Sequence, residues 1–166
     1  MTDLDFPLDL LPPDQQKVLA YWRELNGEEL RCSFRQFHLS SLPPVVLPST
    51  MIIDVFADSS KNRFRFWGTK MTYIYGRDMT GHCPYDLTPP EMAAVIRAKH
   101  EKMAAKPKAS ASTYVFLRDS GVEHSHYALR LPLSDDGENL SHIAIIVDLS
   151  ANDAAYRKSI LSTAQV

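Results

Sequence analysis

His124 and His126 stand two residues apart in "HSHYALRLPL", which puts both imidazoles on one face of a strand and invites a metal reading. The third candidate ligand is His142 in "SHIAIIVDL". With the intervening hairpin paired so that Leu133 faces Leu140, His142 opposes Leu131, roughly 17 Å along the strand from His126. A zinc site needs its ligand nitrogens about 2 Å from one ion. The spacing therefore assigns no metal, and the histidine pair is expected on a polar outer face. Asp54 is a lone carboxylate in the apolar run "MIIDVFA". Such a group can serve as a proton-transfer base beside a tyrosine, here Tyr73 or Tyr75; its plainer role is an outward-facing strand residue. Ser125 beside His126 offers a nucleophile and a base, but nothing in the sequence adds the orienting acid.

The stretch "FRFWGTKMTYIYGRDMTGH", Phe64 to His82, holds Gly68, Gly76 and Gly81. Their spacing matches neither G-x-G-x-x-G nor G-x-x-x-x-G-K-[ST]. A dinucleotide site also needs parallel βαβ units, whereas this chain closes with antiparallel hairpins. The glycines are expected to permit tight turns between short helices.

The elements that must position these groups follow from periodicity. Residues 1–13 read as an arm ending in Pro12-Pro13. Val18, Tyr21, Trp22 and Leu25 form one stripe of a helix that can dock on its own core or on a second copy. Pro43, Pro44 and Pro48 break the segment that follows, giving an N-terminal region of residues 1–50: arm, amphipathic helix and Pro-rich cover. A core over 51–150 starts with strands at "MIIDVFA" and "RFRFW"; alternation in the second puts Phe64 and Phe66 on one face. A short helix over 69–75 follows, then a long one bounded by Pro89-Pro90 and Pro107, with Met92, Val95, Ile96 and Met103 as its stripe and Lys99 intruding. Three strands in a meander, at 112–118, 124–133 and 141–149, complete a five-stranded antiparallel sheet with helices on one face. Residues 151–166 are expected to form a C-terminal helix. The fold class is α+β.

At 166 residues with 45% apolar and 23% charged content, one domain with a substantial core is expected. A net charge of −2 gives no sign of a nucleic-acid binder, and Arg97, Lys99, Lys102, Lys106 and Lys108 read as a solvated helix face. Cys32 and Cys83 form no CxxC pair, the N-terminus is acidic, and no apolar run approaches the roughly 18 residues of a membrane helix. A soluble, cytoplasmic protein without membrane contact is expected.

The element order, Gly76 and Gly81 in "YIYGRDMTGH", and "DLS" at Asp148–Ser150 leading into a helix together resemble the PAS domains, small sensory modules. Adding "VLAYWRELNG" and "LPPVVLP", the chain looks like a divergent bacterial subfamily of short, single-domain PAS proteins. The resemblance implies a non-catalytic sensory or regulatory module that binds a small molecule or protein partner, signals in trans to an unknown partner, and pairs as a homodimer through a flanking helix. Phe64, Phe66, Met71, Tyr75, Met92, Ile96, Tyr127 and Ile145 are the expected pocket residues; the same set also describes a filled core, and both readings stand at this point. Some PAS domains hold haem through a histidine on the long helix, which here is His100. Flavin photosensors of the family use a cysteine in an Asn-Cys-Arg-Phe-Leu-Gln-like stretch that "GHCPYD" around Cys83 does not match. No cofactor is assigned. The class-different alternative is a small cone-shaped α+β enzyme with Asp54 as general base.

Overall fold

The computed structural model describes residues 2–26, 32–117 and 123–149. Six strands form one antiparallel sheet: β1 (Thr2–Phe6), β2 (Thr50–Asp54), β3 (Arg63–Trp67), β4 (Ser110–Leu117), β5 (Glu123–Leu133) and β6 (His142–Asp148), in the order β1-β4-β5-β6-β2-β3. Helix α2 (Thr69–Tyr75) and helix α3 (Pro90–Ala105) follow β3, and helix α1 (Pro13–Asn26) precedes the sheet's centre in the chain. The helix expected over 151–166 lies outside the described residues.

The α+β antiparallel sheet with α2 and α3 over one face is as the sequence indicated, but it has one strand more and its second face is covered as well. Thr2–Phe6, read as an arm, pairs with β4, setting Asp3 opposite Tyr114 and Asp5 opposite Ser112. The run "TDLDF" alternates with period two, but its acidic residues conceal a strand. Lys99 of α3 explains them: its Nζ lies 3.0 Å from Asp3 and 2.5 Å from Asp5, so the cation that interrupts the apolar stripe of α3 clamps the edge strand instead.

Both faces of the sheet are buried. Helices α2 and α3 cover the inner face over Met51, Ile53, Phe64, Ile143 and Ile145. Helix α1 and residues 32–49 cover the outer face over Ile52, Leu129, Leu131, Ala144 and Ile146. Two-sided burial is why "MII" and "IAIIV" are continuous apolar runs rather than alternating ones. The stripe of α1 is spent on this layer: Val18 is fully buried, while Tyr21, Trp22 and Leu25 are partly buried against it. Trp22 Nε1 donates to the carbonyl of Pro132, and the buried Gln15 donates to the carbonyls of Tyr127 at 3.2 Å and Ile146 at 2.8 Å.

Two register features redirect side chains. Phe66 pairs with Ile52 and Phe64 with Ile53, so Arg65 is an extra residue in β3. This bulge keeps Phe64 inward, brings Trp67 inward beside it with ring centroids 4.7 Å apart, and leaves Phe66 packed on the outer layer. The second feature is the β5–β6 loop. Asp136 accepts from the backbone N–H groups of Glu138 and Asn139 and from the Asn139 side chain, and Gly137 sits at φ 81°. The loop therefore runs through Ser141, and Leu133 faces His142 rather than Leu140. Between α2 and β4, Gly76 and Gly81 take φ 77° and 78°, the left-handed turns their positions called for.

Gln15→Ala should cost about 1–3 kcal/mol, because two sheet carbonyls lose a buried donor. Urea unfolding should show a lower midpoint with an unchanged slope; a midpoint shift equivalent to less than about 0.5 kcal/mol would show that the bonds do not anchor α1.

Candidate functional site

Where α3 crosses the inner face of the sheet, a cavity of about 30 Å³ remains. Its apolar wall comes from β2 (Met51, Ile53), β3 (Phe64), α3 (Met92, Ile96) and β6 (Ile145). Its polar wall comes from α2 (Tyr75), β4 (Tyr114) and β5 (His126, Arg130). Of the eight residues expected in a pocket, the structure brings together Phe64, Tyr75, Met92, Ile96 and Ile145. Met71 is fully buried in the same layer without reaching the cavity. Phe66 is turned away by the bulge. Tyr127 lies on the outer face, its ring 5.5 Å from Phe6, because β5 is read one residue out of register if its aromatic residue is placed inward.

That correction moves His126 and Arg130 inward, two polar site residues that the sequence reading missed along with the apolar wall residues Met51, Ile53, Leu87, Ala128 and Val147. His126, expected on a solvent face, is 4% exposed and lies beside Tyr114 with ring centroids 5.3 Å apart. Alternation in "HYALRLPL" carried the signal: Tyr127, Leu129, Leu131 and Leu133 form the more apolar set, and only a second buried face accommodates the other one. Arg130 is 3% exposed. Its Nη1 donates to Ser112 Oγ at 2.8 Å, its Nη2 donates to the Tyr114 hydroxyl, and its Nε has no partner. On α2, the Tyr75 hydroxyl donates to Met92 Sδ at 3.4 Å, and burial pushes this phenol's pKa up.

His100 sits on α3 beside the cavity and is 3% exposed. The Asn62 amide donates to the Tyr85 hydroxyl at 2.9 Å, which leaves that hydroxyl's own proton for His100 Nδ1 at 3.4 Å. This chain selects the tautomer with a proton on Nε2, and that atom is buried without a partner. Burial, reinforced by the charge of Arg130, holds the His100 pKa down to about 3.

The remaining candidates lie elsewhere. Asp54 Oδ1 receives Arg65 Nε at 2.5 Å and stands 3.3 Å from His142 Nε2, at the end of β2 outside the cavity wall. Tyr73, offered as its partner, is 81% exposed, and Tyr75 belongs to the cavity. The base–tyrosine pairing of the enzyme alternative is therefore not assembled. Cys32 is buried in the outer layer and Cys83 is half-buried in a loop; neither lines the cavity. Among the described residues no three His, Cys, Asp or Glu side chains could hold a metal ion, and no helix is long and apolar enough to cross a membrane. The side chain of His124 lies outside the described set.

No family model matches the sequence, and comparison with curated proteins gives no match. Solved structures do match. An RNA-binding light-oxygen-voltage receptor aligns over 97% of this chain at a TM-score of 0.56 and 13% identity. This chain spans only 42% of that receptor's length. A light-oxygen-voltage domain studied with a flavin analogue aligns over 68% of this chain and 83% of its own, at 0.51 and 18% identity. The light-state Aureochrome1 LOV domain aligns over 74% and 94%, at 0.50 and 15% identity. The chain has the PAS fold.

The His100 shift sets a sign for acid sensitivity. Unfolded, the imidazole takes a proton below about pH 6.5, whereas the fold refuses it until about 3. Stability is then full above about 6.5 and falls by about 1.4 kcal/mol per pH unit below it. His142, lowered by burial against the opposing pull of Asp135 and Asp54, adds loss of the same sign. His100→Gln should flatten the stability profile between pH 6.5 and 4.5 in chemical denaturation; a profile as steep as the parent's would contradict the buried neutral imidazole.

Proposed function

We propose that this PAS-fold domain is a sensory module that binds a small molecule in the cavity under α3 and passes the change to a partner protein through its flanking elements. The observation that supports this most directly is the composition of one wall. A buried cation and two tyrosines converge from three elements on a space otherwise lined by apolar side chains. Small-molecule sites combine an apolar wall with a few convergent polar groups in this way. The tyrosines supply an apolar body with one hydrogen-bonding tip. A ligand here would touch α3 and the central strands together, so different affinities for two packings of α3 would shift the equilibrium between them.

The light-oxygen-voltage neighbours raise flavin as a candidate, and His100 raises haem. Neither group fits. A 30 Å³ cavity admits only a few heavy atoms, neither described cysteine lines it, and His100 lies outside its wall with its proton on Nε2, the nitrogen a haem iron would need. Pairing through α1 is also constrained. The helix spends Val18 and Leu19 on its own sheet, so a second copy would meet its exposed, mostly polar face and the partly buried Tyr21 and Leu25.

Ala128, at the cavity's floor, is 1% exposed. Ala128→Leu should fill the space and leave the fold, read by circular dichroism, in place. Native mass spectrometry and a small-molecule thermal-shift screen should find a ligand for the parent protein. At one hundred times its dissociation constant, that ligand should stabilise by about 2.7 kcal/mol. The variant should lose the effect. Equal responses from the two proteins would exclude the cavity as the binding site.

A further inference from the structure

Arg130 narrows the ligand's chemistry. A guanidinium cannot shed its charge, and burying one without an anion costs several kcal/mol. Among the described residues no carboxylate lies within ion-pairing distance of Arg130. Asp3 and Asp5 on β1 pair with Lys99 and Lys102, four groups whose charges cancel among themselves; Asp5 also feels the charge of Arg130, but from beyond ion-pairing distance. What Arg130 does hold is neutral: the hydroxyls of Ser112 and Tyr114. These orient the fork without neutralising it. The Nε–H stays unpaired, and so does the Nε2–H of His100, which lies within electrostatic reach of the guanidinium.

Resting on the small-molecule reading above, we propose that the cavity takes a short aliphatic monocarboxylate, its carboxylate against Arg130 and its carbon chain along Met51, Ile53 and Ile145. The paired N–H donors of an arginine fork match the two oxygens of a carboxylate. One negative charge balances the one left over. Size and wall set the remainder of the molecule. About 30 Å³ is room for two or three water-sized groups, so the cavity at rest holds an acid of one or two carbons and takes three or four only where the adaptable Met51 and Met92 give way. A second charge on the ligand would be buried against Met51, Ile53 and Ile145 with no partner, which disfavours dicarboxylates and inorganic phosphate.

The test compares sodium butyrate, butyramide, succinate and inorganic phosphate by calorimetric titration and thermal shift on the whole chain. Butyrate should bind at least tenfold more tightly than butyramide, and succinate and phosphate should not compete. Arg130→Gln should abolish the preference for acid over amide. Should that variant not fold, the parent's acid-to-amide ratio decides alone. Equal binding of butyrate and butyramide, a preference for succinate or phosphate, or no binding of any acid would overturn the proposal. Binding of butyramide without butyrate would sink the anion assignment and leave the small-molecule reading intact. Silence from all four, with Ala128→Leu indistinguishable from the parent in the broader screen, would remove both.

Discussion

Strand β5 runs through the sheet with an apolar layer pressed on each face, so its described side chains, Ser125 to Leu133, all belong to one of two interiors. Tyr127, Leu129, Leu131 and Leu133 go to the layer under α1. His126, Ala128 and Arg130 go to the cavity under α3. No position on the strand's central part is left for solvent. This parity sets the site: the face given the larger apolar residues closes completely, and the face given a small residue between two polar ones keeps a gap. Ala128 leaves the volume, and His126 and Arg130 supply its chemistry.

The other elements hold that arrangement in place. Gln15 and Trp22 fix α1 to β5 and β6 through backbone carbonyls, which seals the outer layer. The clamp of Lys99 on Asp3 and Asp5 ties α3 to the edge strand, and Tyr85 with Asn62 ties His100 to the loop beside β3. Helix α3 is thus bonded along its polar flank and packed on methionines over the cavity. Met51 and Met92 are unbranched and adaptable, the side-chain type that accommodates a change in what lies beneath. The resulting design has a rigid frame with one compliant wall.

Much of the fold was legible because its signals are local. Proline brackets, a 3.6-residue stripe and turn glycines place α1, α2, α3 and five strands close to their observed bounds. What stayed hidden depended on tertiary context. Acidic "TDLDF" becomes a strand only because Lys99 waits across from it. Phe66 leaves the inner face through a bulge that no propensity marks, and an Asx-type loop at Asp136 moved the β5–β6 register by two residues while preserving its faces. The candidate site was legible where residues came from α3 and β3. It failed at β5, where a buried aromatic and a buried arginine compete for the inward position and composition favours the aromatic. The assumption of one covered face made that choice; the second covered face reverses it.

The central claim is that a small molecule occupies the space beneath α3. The six methionines provide internal reporters, since Met51 and Met92 line the cavity whereas Met71, Met79 and Met103 are buried in the same layer away from it. Methyl-labelled methionine spectra recorded through a titration with sodium butyrate read occupancy directly. Saturable shifts at Met51 and Met92 should clearly exceed those at the other four. Unmoved Met51 and Met92 signals, or uniform small shifts across all six, would contradict it.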